Sequence, residues 1–207
     1  MNKNQHLLFI KQKGNMKQKF LLAGALMFFV SALATQAQNV NLDKSTFTWT
    51  GKKVAGEHTG NIKLKSGSIK IDGKELKGGN FIIDMTTLTC TDLKDEGTNT
   101  SLINHLKSDD FFSVDKFKES RFNITKVVRQ ANNQYQVTGN LEIKGTSHPN
   151  TIKATFEEKG KQKIFTGTMV VDRTLYNIRY GSGKFFENLG DRMINDEFEI
   201  KFSLVVE

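Results

Sequence analysis

The sequence predicts an all-β domain: a single antiparallel barrel of about eight strands, apolar inside, with one helical plug. Three observations carry this. Apolar residues recur with period two along almost the whole chain after residue 39, the signature of strands with one wet face. Only one substantial segment has a helical period instead. Seventeen glycines, a single proline and no strand-helix-strand alternation exclude a parallel sheet, which needs a helix between strands. An antiparallel sheet must protect its edges, and closure into a barrel removes them. Eight strands leave an interior wide enough for side chains or one small ligand.

The elements follow in chain order. Residues 1–37 carry five lysines and no acid, then the apolar run Phe20 to Val30 and the small residues Ser31, Ala32, Ala34 and Ala37. This is a basic start, a core too short to span a bilayer and a small-residue exit, so we read a cleaved secretory signal. Met16 to Ala37 is a complete signal by itself, which makes Met16 an alternative start. Export to a bacterial periplasm or beyond is expected, with no stable membrane span after cleavage. The domain then runs over residues 38–207.

Removing the leader changes the charge argument. The whole chain has 30 Lys and Arg against 22 Asp and Glu, a net of +8; without the five leader lysines it is +3. The remaining lysines alternate with apolar residues, as in Ile62-Lys63-Leu64-Lys65. That is a solvated face, not the clustered stripe with stacking aromatics that nucleic-acid binding requires, and no nucleic-acid partner is expected. Cys90 is the only cysteine, so the core must supply the stability without a disulfide.

Phe47 and Trp49 form the first inward row. Ile62 with Leu64 and then Ile69 with Ile71 follow, bounded by the turn signals Asp72-Gly73 and Gly78-Gly79. Phe81, Ile83 and Met85 continue the alternation. The helical plug comes next: Leu102, Ile103 and Leu106 share one face, Thr98 to Thr100 offer capping oxygens, and Asp109-Asp110 open a second turn carrying Phe111 and Phe112. Strands resume with Phe122 and Ile124, then Tyr135, Val137, Leu141 and Ile143 after the turn Asn132-Asn133. The stretch Gly145 to Pro149 turns the chain and exposes His148. Ile152 to Phe156, Ile164 to Val171 and Phe198 to Val206, with Phe202 and Leu204 inward, complete the set.

Four landmarks stand in order: VNLDKSTFTWTGKKVAGEHTGNIKLKSGSI from Val40, LINHLKSDDFFSVDKF from Leu102, VTGNLEIKGTSHP from Val137, and VDRTLYNIRYGSGKFF from Val171 followed by DEFEIKFSLVV. Together they resemble the YceI-like family over residues 39–207. The resemblance implies an exported, lipocalin-like, extended barrel holding a long isoprenoid chain, polyprenyl or quinone-type, in its lumen. Here Ile103-Asn104 precede His105-Leu106, where many members carry an Arg-Asp pair.

The residues agree with that implication. Burying on the order of 500 Å² of ligand at about 25 cal/mol per Å² gives roughly 12 kcal/mol before ordering losses, enough for binding without a catalytic group. Lumen candidates are Phe47, Trp49, Ile62, Leu64, Phe81, Ile83, Phe122, Ile124, Tyr135, Val137, Phe202 and Leu204, with Phe111 and Phe112 closing one end. Arg173, Arg179 and Lys184 are candidate headgroup ligands, since guanidinium and ammonium groups suit phosphate or carbonyl oxygens. The same residues also fit ion pairs, Arg173 with Asp172 and Lys184 with Glu187. No catalytic residue, metal or cofactor beyond the lipid is assigned. The alternatives are a metal or enzyme site using His58, His105 and Asp109, the last two at helical spacing, and a module binding a protein or envelope polymer. The sequence leaves homodimer formation open.

Overall fold

The computed structural model describes residues 36–207 apart from Lys74. The signal reading therefore lies outside the described residues, except that Gln36 and Ala37 stand opposite Ile71 and Lys70 in the first strand. The described part of the chain lies in one compact unit, Leu33–Glu207.

Ten strands form one antiparallel sheet, two more than the period-two rows suggest: β1 (Gln36–Asn39), β2 (Thr46–Lys53), β3 (Gly56–Asn61), β4 (Lys63–Asp72), β5 (Glu75–Asp84), β6 (Glu119–Arg129), β7 (Gln134–Ile143), β8 (Thr146–Lys159), β9 (Gln162–Asp172) and β10 (Ile194–Val206). β1 and β3 were missed because QAQN and GEHTGN contain almost no apolar residue to mark a period. The spatial order is β1-β4-β5-β6-β7-β8-β9-β10-β2-β3. Strands β4 to β10 thus form a meander, while the β2–β3 hairpin docks on β10 rather than on β4.

The curl stops short of full pairing, so this is a half-barrel. At one end Val40 joins the two sides: its N–H donates to Gly67 O at 2.9 Å and it bridges Val206. At the other end β3 is covered by an irregular stretch, where Thr89 and Thr91 N–H donate to Asn61 and Thr59 O.

Three local expectations are corrected. Gly78-Gly79 is not a turn but the middle of β5, beside an irregularity in its register with β4. A Cβ on Gly79 would press on Ser68 O and the Phe81 ring, so the glycine serves close strand approach. The turn after β7 is Lys144-Gly145, both at positive φ, whereas Pro149 lies inside β8 opposite Asn140. His148 is accordingly half-buried, its ring edge-on to Tyr176 at 5.4 Å.

The helix α1 (Glu96–Lys107) starts two residues before the expected cap. Asp95 caps it, accepting from Thr98 N–H and Oγ1 at 2.8 and 2.6 Å. Asn99 Nδ2 instead donates to Cys90 and Leu93 O, tying the helix to the stretch that covers β3. Leu102, Ile103 and Leu106 pack on a cluster of Trp49, Ile62, Met85, Leu88, Cys90 and Val114. The larger cluster lies further along the barrel, around Tyr135, Phe165 and Ile69.

Candidate functional site

Beneath α1 the sheet encloses a cavity of about 430 Å³. Each wall follows from strand parity. Trp49 comes from β2, Ile83 from β5, Leu141 and Ile143 from β7, and Phe198 and Ile200 from β10; Met85 and Leu88 add the turn after β5. Leu102 and Leu106 form the roof, and Phe111 and Phe112 stand beside them. A second cavity of about 90 Å³ lies among Ile69, Phe81, Phe122, Ile124, Val137, Phe202 and Leu204. Ile83 and Leu141 line both, so these two side chains stand between the cavities, at what we term the neck of the lumen.

Of the lumen candidates, Trp49, Ile62, Ile83, Phe111 and Phe112 line the larger cavity. Phe81, Phe122, Ile124, Val137, Phe202 and Leu204 line the smaller. Phe47, Leu64 and Tyr135 line neither: Phe47 stacks on Phe202 at 6.3 Å, while Leu64 and Tyr135 are solid core. Parity alone could not separate lumen from core, because both face inward. Phe198 and Ile200 were legible from the same parity as Phe202. Tyr180 belongs to a turn without periodicity and had no such signal.

The segment 173–195 forms one lip. Asp172 caps its first turn, accepting from Thr174 N–H and Oγ1, and Asn177 at φ 61° reverses the chain. Carbonyls 178 and 180 therefore turn back onto Arg173. Its guanidinium donates to Asn195, Ile178, Tyr180 and Ile194 O at 2.8–3.0 Å, and Nη2 lies 3.7 Å from Asp196 Oδ1. With 3% exposure Arg173 is a buried tether, which corrects the headgroup expectation for it. Burial pulls its pKa down, against the raising effect of Asp196 and Asp172. Lys184 pairs with Asp172 at 3.0 Å and Asp196 at 3.3 Å, not with Glu187. Arg179 is exposed and lies over the Phe185 ring at 4.7 Å. Neither Arg179 nor Lys184 lines the cavity; the lining cations besides Arg173 are Lys52, Lys53 and Arg192.

The two histidines lining the larger cavity are His58 and His105. His105 holds the lips together: its ring is edge-on to Phe111 at 5.0 Å and to Tyr180 at 4.6 Å, and Nε2 is 3.3 Å from Asp110 Oδ2. Asp109, the predicted metal partner of His105, binds Lys116 instead at 2.6 Å. His58 Nδ1 is 2.8 Å from Asp92 Oδ2. Burial opposes ionisation of Asp92, but bonds from His58, the Thr59 N–H and the Cys90 thiol outweigh it and hold the carboxyl at about 2. His58, His105 and Asp109 are not brought together, and among the described residues no three His, Cys, Asp or Glu could hold a metal ion. No helix among the described residues is long and apolar enough to cross a membrane.

What this lumen offers chemically is a mainly apolar wall with polar and charged residues around it. The fold recurs in solved structures. The fold matches BcnA from Burkholderia cenocepacia at a TM-score of 0.67 and 25% identity, over 81% of this chain and 99% of that one. It also matches a polyisoprenoid binding domain from Saccharophagus degradans, implicated in plant cell wall breakdown, at a TM-score of 0.59 and 12% identity, over 82% and 97% of the two chains. In sequence it is 29% identical to a UPF0312 protein of Vibrio parahaemolyticus over 154 residues, 70% of this chain and 77% of that protein. With a UPF0312 protein of Vibrio campbellii it is 32% identical over 103 residues, about half of each chain (49% and 51%). The model of the YceI-like domain matches residues 38–206, so with the curled sheet and its helical roof in place, this chain belongs to the YceI-like family.

Proposed function

We propose that the protein is an exported binding protein, not an enzyme, that holds an isoprenoid lipid of polyprenyl or quinone type in its lumen. The observation that carries this is the cavity of about 430 Å³ under α1, with a second apolar cavity of about 90 Å³ on the other side of Ile83 and Leu141. Its size falls in the range of small-molecule sites, and its mainly apolar lining suits a hydrocarbon chain rather than a polar metabolite. The polyisoprenoid binding domain that shares the fold supports the ligand class. Lys52, Lys53 and Arg192 at the lip would face a polar or phosphorylated end left outside.

Native mass spectrometry of the protein exported into a bacterial periplasm, followed by organic extraction, tests the reading. The expected result is a stoichiometric adduct that extracts as an isoprenoid. A protein that carries no adduct, and takes up neither added polyprenyl nor quinone lipids, would sink it.

A further inference from the structure

Four polar or charged side chains are buried among the described residues: Ser113, Ser120, Arg173 and Ser182. Three are held by the protein itself. Ser113 bonds Asp109, Ser182 Oγ accepts from Lys184 N–H at 3.2 Å, and Arg173 is tethered to four carbonyls. Ser120 differs from these: its side chain lines the larger cavity, where its hydroxyl is open to the lumen. It is 6% exposed and opens the inward row Ser120, Phe122, Ile124 of β6. Ile83, one of the two residues common to both cavities, stands directly opposite it. The hydroxyl therefore faces the neck of the lumen, between the apolar walls of Ile83, Leu141 and Ile143.

A lone hydroxyl in such a wall is unfavourable unless something inside the lumen bonds it. An alanine would fill the position without that desolvation. We propose that Ser120 hydrogen-bonds an uncharged oxygen of the bound lipid, a carbonyl or an alcohol, seated at the neck. This rests on the lipid-binding reading and narrows it. One neutral hydroxyl cannot offset the desolvation of a phosphate or carboxylate, and the lining cations Lys52, Lys53 and Arg192 lie on exposed residues at the lip instead. The ligand thus carries a neutral oxygen deep in the lumen, whatever its outer end bears.

Trp49, the only tryptophan of the chain, lines the same cavity, so its fluorescence reports occupancy directly. Titrations of wild type and Ser120→Ala would use geranylgeraniol, a short-chain ubiquinone and the hydrocarbon phytane. The alanine variant is expected to bind the alcohol or the quinone about tenfold more weakly and the hydrocarbon within about twofold. Which of the two oxygenated probes is weakened names the oxygen as alcohol or carbonyl. Ser120→Thr, which keeps the hydroxyl, should retain the wild-type preference. The Tm of Ser120→Ala should not fall, because no protein group loses a partner. Equal changes for all three probes, or unchanged affinities with a lowered Tm, would overturn the role of Ser120 alone. Failure of all three to bind wild type would overturn the lipid reading and this inference with it.

Discussion

Arg173 shows how far a single side chain can be from what its charge suggests. Sequence supplies a cation among glycines; structure surrounds it with four backbone carbonyls and Asp196. Partners of this kind come from chain reversal at Asn177, which no periodicity announces. Replacing Arg173 with Met should cost about 3–5 kcal/mol in a urea denaturation series, since carbonyls 178, 180, 194 and 195 and the Asp196 carboxylate lose their donor together. Asp92 gives a pH prediction. Its carboxyl titrates at about 2 in the fold against an ordinary 3.8, so the folded form binds the proton less readily. Its stabilisation is complete above the ordinary value and disappears as pH falls through the folded one. Wild type and Asp92→Asn should therefore differ in Tm at pH 5 and converge near pH 2. A constant difference across that range would show that the bonds from His58 and Thr59 do not hold the charge. Strand parity, by contrast, was enough to place Phe81, Phe122 and Phe202 facing inward.

At the level of elements, the helix was legible and its start was not. The face of Leu102, Ile103 and Leu106 is evident from spacing, but Gly97 inside the first turn disguises Asp95 as a loop residue. Asp95→Ala should lower stability by about 1 kcal/mol, read from thermal denaturation, because Thr98 N–H loses its acceptor. A shift below about 0.3 kcal/mol would mean that packing on Trp49 and Leu88 alone fixes the helix. β3 was invisible for a different reason. It is held by backbone pairing to β2 and to the stretch 89–91, not by side-chain burial. Gly60 reveals the tightness of that arrangement: a Cβ there would overlap Thr89 O and crowd Trp49 Nε1, which donates to the same oxygen at 2.8 Å.

For the whole molecule, the all-β class, the antiparallel pairing and the single helical plug were predictable from period and composition. Strand order was not, because alternation identifies strands without naming partners, and the β2–β3 hairpin crosses to β10. The open space of the lumen was equally out of reach. Inward positions were known, but the emptiness between them depends on how the sheet curls. Filling it provides a global test. Ile83→Trp at the neck should change stability by no more than about 1 kcal/mol, the volume being available, while lipid recovered with the purified protein falls at least tenfold. Unchanged lipid recovery in a folded variant would place the ligand elsewhere.

The one cysteine gives this architecture a clock. Cys90 is buried, its thiol donates to Asp92 Oδ1 at 3.2 Å, and burial pushes its pKa up, with the Asp92 charge adding to the rise. Burial and a raised pKa therefore slow its reaction with a thiol-reactive reagent in the closed fold. Modification is expected to speed up when the stretch beside β3 lifts, and Asn99 ties that stretch to the helix roof. The rate at which a disulfide reagent consumes Cys90 measures how often the roof's tether breathes, and slowing of that rate by lipid would make loading visible without labelling the ligand.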